Sequence, residues 1–402
     1  MPPTEKRVLV TVAGPDAPGI TNALAGIIAG AGAHLRDIEQ VVLSGQLTLC
    51  LVVGVDPEHG HGSPVVKDLL FAAKELGLAL DFEVLDEQPA VKPGATSLYA
   101  LTVIGDQVDA SALFALTSVL ARYGANIETI KRLSDVNLSS LEIVVSVPRD
   151  DDRVLSLQKD LVSAALEAGV DLAFQRERLT RRSKRLVVMD MDSTLIRIEV
   201  IDELARAYGV YDQVAAITAR AMLGNMPYEQ SLVERVALLR GMPLEAVMRV
   251  AGDPPVMEGA PELLRALRAL GLKTAVISGG FSFAADALKA RFGLDYAYSN
   301  TLEVKDAKLT GRVLDPIVGP QRKADLLDAL AQREGIPLEQ TVAVGDGAND
   351  LLMIEKAGLG IAFHAKPKLR AAADTSLTQG GLDRILYLLG LRAREVKELL
   401  DG

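Results

Sequence analysis

Arg185-Leu186-Val187-Val188-Met189-Asp190-Met191-Asp192-Ser193-Thr194-Leu195 is an apolar run of strand type that ends on two carboxylates, followed by two hydroxyl residues. A buried strand tolerates carboxylates at its end only if they are paired, solvated or bound to a metal. The chain offers comparable chemistry after later apolar runs, at Ser278-Gly279-Gly280, near Lys323, and at Asp346-Gly347. Acids, a hydroxyl, a lysine and glycine-rich turns together point to phosphoryl chemistry on magnesium. Ligands of open α/β sheets bind outside the carboxyl ends of the strands. Asp190, Ser278 and Asp346 each follow an apolar strand directly, so folding would gather them. One acid after a strand would be weak, because helix N-caps look the same.

From residue 185 onward, strand and helix alternate. Strands are expected at Leu186–Met189, Lys273–Ile277, Ala297–Asn300, Thr341–Val344 and Gly360–Ala362. Short apolar runs of this kind suit a parallel sheet covered on both faces. Between about 201 and 269 the strand signal gives way to helices, an insert placed to cover the strand ends. The expected fold class is α/β, a Rossmann-like core over 185–402 with this helical cap after its first strand.

Two smaller units precede the core. Residues 7–85 read as βαββαβ, and residues 98–175 repeat that order. Thr102-Val103-Ile104-Gly105 stands 91 residues after Thr11-Val12-Ala13-Gly14, and Gly124-Ala125-Asn126-Ile127 stands 92 after Gly32-Ala33-His34-Leu35. Duplication explains two landmarks at nearly one offset. The domain boundaries expected are therefore 1–86, 97–176 and 185–402. The linker Asp86–Thr96 should be exposed. The connector Arg176–Arg185 holds six cations in ten residues and is expected to be solvated.

Composition narrows the partners. The 402 residues are 49% apolar and 24% charged, with net charge −10. That balance argues against a nucleic-acid binder and against an anionic membrane surface. A small anionic substrate stays compatible, because a metal and a few local cations set the field inside a site. The single cysteine, Cys50, lies in an apolar run and reads as a buried structural thiol. One cysteine excludes an internal disulfide and a thiolate zinc site. His59 and His61 sit in a Gly/Pro-rich loop and read as solvated. The N-terminus lacks a signal-peptide pattern and no apolar run reaches spanning length, so a soluble cytoplasmic protein is expected.

Asp190-Met191-Asp192-Ser193-Thr194, Ser278-Gly279-Gly280, Lys323 and Gly345-Asp346-Gly347-Ala348-Asn349-Asp350 resemble the four motifs of the haloacid-dehalogenase-type phosphatases. Glu199, Met222 and the run Tyr228–Val236 resemble, more narrowly, the phosphoserine phosphatase group of that superfamily. The N-terminal repeats resemble ACT domains, small amino-acid-sensing modules.

The resemblance implies a role for each residue. Asp190 would be the nucleophile that becomes an aspartyl phosphate. Asp192 would be the general acid and base, and its backbone carbonyl would reach the metal. Thr194 would support the loop. Mg²⁺ would be held by Asp190, Asp192 and Asp346. Ser278, the Gly279 amide, Lys323 and Asn349 would hold phosphate oxygens. Ser278 also reads as a simple N-cap of a helix over Phe281–Lys289. Sequence physics divides the cation role evenly between Arg322 and Lys323, and the resemblance selects Lys323. Asp350 would orient Lys323 or a metal-bound water.

Glu199 would pair with a substrate ammonium and Arg235 would clasp a carboxylate. Each is also at home in a surface ion pair. Met222 and Tyr228 would close the apolar side, although the family often has phenylalanine at the latter position. The implied reaction is hydrolysis of O-phospho-L-serine to L-serine and phosphate, the last step of serine biosynthesis. Two alternatives stand beside it. One is related phosphatase or phosphotransferase chemistry on another small phosphate, and the other is a non-catalytic amino-acid-sensing regulator. The repeats imply a homodimer and an L-serine effector, docked near Gly14, Gly19 or Gly105. These glycines also serve as plain turn formers.

Overall fold

The computed structural model describes residues 6–55, 64–85, 96–135, 139–222 and 226–401, with the side chain of Met222 outside that description. The chain forms two compact units, Met1–Pro93 and Gly94–Gly402.

The first unit is an antiparallel sheet of β1 (Lys6–Pro15), β2 (His34–Leu43), β3 (Gln46–Val55) and β4 (Ala79–Leu85), in the order β2-β3-β1-β4. Alternation sends Val8, Val10 and Val12 of β1 and Leu47, Leu49, Leu51 and Val53 of β3 to one face. Ile20, Leu24 and Ile28 of the helix Ile20–Gly30 cover that face, with Val65, Val66 and Leu69 of Pro64–Glu75. Cys50 points the other way and is only half-buried, which corrects the expected buried thiol. The two-residue period accounts for this, because its neighbours Leu49 and Leu51 occupy the core face. Every residue of β2 is exposed, including Leu35, Ile38, Val41, Val42 and Leu43. The linker 86–95 lies outside the described residues, as do His59 and His61.

The second repeat contains β5 (Thr96–Ile104), β6 (Asn126–Arg132), β7 (Ser140–Pro148) and β8 (Asp171–Arg176). Their order β8-β5-β7-β6 reproduces that of the first repeat. The core adds β9 (Leu186–Met189), β10 (Lys273–Phe281), β11 (Tyr296–Lys305), β12 (Lys308–Leu314), β13 (Thr341–Gly345), β14 (Gly360–Phe363) and β15 (Thr375–Leu377). They run β12-β11-β10-β9-β13-β14-β15, parallel except for the β11–β12 hairpin. β9 is buried on both faces. Val187 and Met189 join one apolar cluster, and Leu186 and Val188 join the other.

A short antiparallel pairing, Thr375 with Ala173, joins β15 to β8 and makes one sheet of eleven strands. Buried Asp171 secures the seam by accepting from Thr378 N at 2.8 Å, Thr378 Oγ1 at 2.8 Å and Gln379 N at 3.3 Å. The basic connector is not simply solvated. Arg181 is 3% exposed and its Nη2 lies 2.7 Å from a Glu142 oxygen, while Arg182 Nη2 reaches the other oxygen at 2.7 Å. Lys184 Nζ donates to the carbonyls of Glu339 at 2.7 Å and Gly358 at 3.1 Å, and burial pushes its pKa down to about 8. Cations this deep need such partners.

The insert after β9 supplies helices Val200–Tyr208, Tyr211–Met222, Tyr228–Ala237 and Leu244–Ala251. The next helix, Ala260–Ala269, packs against β10 and the C-terminal helix Ala393–Asp401. Among the described residues, no helix is long and apolar enough to cross a membrane.

Candidate active site

Met189 pairs with Val276 on one side and Val344 on the other. That register brings Asp190, Ser278 and Asp346 out at the same end of three adjacent parallel strands.

After Asp190 the chain closes a tight turn, with Ile196 N donating to Met191 O at 2.9 Å and Ser193 left-handed at φ 57°. The turn buries Met191 and swings Asp192 back over the strand ends. Asp192 Oδ1 accepts from Val200 N at 3.0 Å, at the start of Val200–Tyr208. A Cβ on Gly280 would fall 2.2 Å from Asp192 Oδ2, so the close approach requires glycine there. Burial, then the charges of Glu199 and Asp190, raise the Asp192 pKa well above the usual range. A carboxyl that holds its proton more tightly than usual suits a general acid.

Lys323 lies on the first turn of the helix Pro320–Glu334 and is fully buried, whereas Arg322 is exposed. Its Nζ stands 2.8 Å from Asp190 Oδ1 and 2.7 Å from Asp350 Oδ1. Burial lowers the lysine pKa, but the two carboxylates more than reverse this and keep it charged. The second Asp350 oxygen accepts from Gly347 N at 3.1 Å.

Asp190, Asp346 and Asp350 each offer an oxygen, all within 4.8 Å of one another. Burial, then Asp190, pushes Asp346 up to about 8 and Asp350 up to about 7. Crowded hard oxygen donors whose negative charge one lysine only partly offsets fit a divalent cation such as magnesium. The side-chain cluster thus includes Asp350, while the Asp192 carboxylate turns toward Val200.

Ser278 Oγ is fully buried and accepts from Gly280 N at 2.9 Å. The following helix, Ser282–Phe292, has Phe281 as its N-cap. Ser278 therefore does not cap it, because the strand runs on through the glycines. The Gly279 carbonyl accepts from Tyr228 Oη at 3.2 Å and from Asn300 Nδ2 at 2.8 Å. Asn349 is half-buried, its Oδ1 2.4 Å from where a Gly347 Cβ would stand.

At the rim, Ser193 Oγ donates to Glu199 Oε1 at 2.9 Å. Glu199 reaches solvent, yet the protein around it desolvates the carboxyl enough to raise its pKa. Half-buried Arg235 donates from Nε to Ser231 O at 3.2 Å and makes no ion pair among the described residues. Thr194 Oγ1 is buried with no hydrogen-bond partner among the described residues. Gly14, Gly19 and Gly105 lie in the repeats. A Cβ on Gly14 would sit 2.7 Å from Leu78 Cδ2, and left-handed Gly19 opens the first helix. The turn after Gly105 is engaged by the core, with Asp106 Oδ1 3.0 Å from Arg384 Nη2 and Asp106 N 3.3 Å from Gln379 Oε1.

Two residues near the site carry no motif. Buried Asn300 ends the apolar run of β11 on the side of the other strand ends, which is the signal that could have found it. Lys366 N donates to Asp346 O at 3.3 Å, and its charge lowers the Glu199 pKa against the effect of burial.

Comparison with known proteins agrees with this geometry. Residues 184–358 match the model for haloacid dehalogenase-like hydrolases, and residues 6–83 and 97–175 match ACT domain models. Phosphoserine phosphatase SerB2 of Mycobacterium tuberculosis is 42% identical over 395 residues, 98% of this chain and 96% of its own. The phosphoserine phosphatase of Streptomyces coelicolor is 41% identical over 390 residues, 97% of this chain and 93% of its own. Among solved structures, an unliganded probable phosphoserine phosphatase from Vibrio cholerae has a TM-score of 0.57 at 36% identity, covering 74% of this chain and 88% of that one. With two ACT domains ahead of a catalytic core, the chain belongs to the phosphoserine phosphatase family of haloacid dehalogenase-like hydrolases.

Proposed function

We propose that the protein hydrolyses O-phospho-L-serine to L-serine and phosphate through an aspartyl phosphate on Asp190, as the last step of serine biosynthesis. The observation that carries this is the set Asp190, Lys323, Asp346 and Asp350 gathered at the ends of β9 and β13, with Asp192 above it.

An Asp190 oxygen attacks phosphorus in line while the bond to the serine oxygen breaks. Asp192 gives its proton to that leaving oxygen, then takes one from the water that attacks the aspartyl phosphate. Phosphate leaves and Asp190 is restored. Lys323 holds the nucleophile and balances charge on the phosphoryl oxygens, and Asp350 holds Lys323 in place. Magnesium, held by Asp190, Asp346 and the Asp192 carbonyl with Asp350 beside it, would offset the repulsion between carboxylate and phosphate. Ser278, the Gly279 amide and Asn349 receive phosphate oxygens.

Glu199 takes the substrate ammonium and Arg235 its carboxylate, while Tyr228 closes the apolar side. Arg235 makes no ion pair among the described residues, which supports this assignment. The repeats, within 1–86 and 97–176, are read as L-serine-responsive modules that pair two copies. The exposed edge strand β2 supports pairing, because open edges call for a partner or protection. The engaged turn after Gly105 favours Gly14 and Gly19 for the effector.

Substrate choice is tested by phosphate release from O-phospho-L-serine and phosphoethanolamine, in wild type and R235A. Wild type should prefer phosphoserine, and R235A should lose at least about 10-fold of that preference, since a charged hydrogen bond contributes about 1.5–3 kcal/mol. Equal cleavage of both esters by both proteins would overturn the substrate reading.

A further inference from the structure

We propose that Asn300 and the Tyr228 hydroxyl are positioning residues that act through the Gly279–Gly280 peptide to aim the Ser278 hydroxyl at the phosphate. This rests on the phosphate-binding role given to Ser278 above.

Every polar atom of that peptide is engaged. Its carbonyl accepts from Asn300 Nδ2 at 2.8 Å and Tyr228 Oη at 3.2 Å, and its N–H donates to Ser278 Oγ at 2.9 Å. A carbonyl loaded by two donors polarises its own peptide and strengthens the N–H as a donor. Because Ser278 Oγ accepts there, its own hydrogen is left to point elsewhere. Ser278 is fully buried, and the phosphate position in front of the strand ends is where that hydrogen is useful.

The two donors come from different parts of the fold. Asn300 is fully buried in the middle of β11, level with Phe281 of β10, and its Oδ1 accepts from Val318 N at 2.7 Å. Val318 precedes Gly319 and the helix that carries Lys323. One amide thus fixes the Ser278 turn against the lysine segment. Tyr228 opens the cap helix Tyr228–Ala237, so its bond ties the cap to the Ser278 turn. Gly279 admits it, since a Cβ there would fall 2.0 Å from the Tyr228 hydroxyl. Phenylalanine at 228 would keep the wall and lose the bond. Both donors are neutral, and a neutral hydrogen bond contributes about 2- to 10-fold in an equilibrium.

The test is a calorimetric titration of inorganic phosphate into wild type, Y228F, N300A, S278A and the doubles Y228F/S278A and N300A/S278A, all with Mg²⁺. Y228F should bind phosphate about 2- to 10-fold more weakly than wild type at an unchanged thermal midpoint, and N300A at least as weakly. In the S278A background the Y228F effect should fall below about 2-fold, because neighbours that act through one group are non-additive. If N300A does not fold, Y228F and its double decide the matter. A Y228F effect that is absent in wild type, or undiminished in the S278A background, overturns the proposal while the phosphate site stands. Unchanged affinity in S278A itself overturns both.

Discussion

Lys323→Met removes the cation that two buried carboxylates share. The lysine is fully buried, with Asp190 Oδ1 at 2.8 Å and Asp350 Oδ1 at 2.7 Å. At an effective dielectric of about 20, each contact carries roughly 6 kcal/mol of gross attraction, most of it offset by the cost of burying the charges. Removing one partner of a buried pair costs about 3–5 kcal/mol, because the other charge is left unpaired. K323M should therefore lose about 3–5 kcal/mol of unfolding free energy in chelator at pH 8. Part should return with Mg²⁺, which supplies positive charge to the same oxygens. Part should also return on lowering the pH to 5. Asp350 already sits at about 7 with the lysine present, so without it the carboxyl takes a proton more readily. Phosphate release should fall at least about 100-fold, the scale for losing one preorganised charge donor. The assays are denaturant unfolding at both pH values, with and without metal, and phosphate release with Mg²⁺. A loss below about 1 kcal/mol at pH 8 in chelator, with activity within about twofold of wild type, would refute the reasoning.

Two further outcomes follow from the same geometry. Asp346 at about 8 and Asp350 at about 7 are raised above ordinary carboxyls, so the metal-free fold binds their protons more tightly than the unfolded chain does. Their contribution to stability is present at low pH and lost as pH rises from about 4 to about 8. The gap in thermal midpoint between Mg²⁺-loaded and chelated protein should accordingly widen from pH 5 to pH 8, and a constant gap would contradict this. At the seam, Asp171→Ala leaves Thr378 N, Thr378 Oγ1 and Gln379 N without their acceptor. A loss of about 2–4 kcal/mol in denaturant unfolding is expected, and a loss below about 0.5 kcal/mol would mean the seam does not hold β8 to β15.

The strand ends were legible because each combines a short apolar run with a polar stop, and parallel pairing turns that coincidence into a site. The choice between Arg322 and Lys323 was not legible from charge alone. Helical phase decides it, pointing residue 323 inward and 322 to solvent. Ser278 read as a helix cap because a glycine pair usually ends a strand, whereas β10 runs on to Phe281. β15 spans three residues, too few for a periodic signal, so its pairing with β8 was invisible. The connector 176–185 looked solvated because charge runs usually are. Arg181 is nonetheless buried against Glu142, a partner about forty residues upstream that no local pattern indicates. Asn300 was missed for a similar reason, since its partners Gly279 and Val318 are distant in sequence.

The covalent step is tested most directly by acid-quenching the protein with radiolabelled O-phospho-L-serine and Mg²⁺, then mapping the label by peptide mass spectrometry. Label on Asp190 in wild type, and none in D190N, is the predicted result. Hydrolysis at full rate by D190N, or label on another residue, would contradict it.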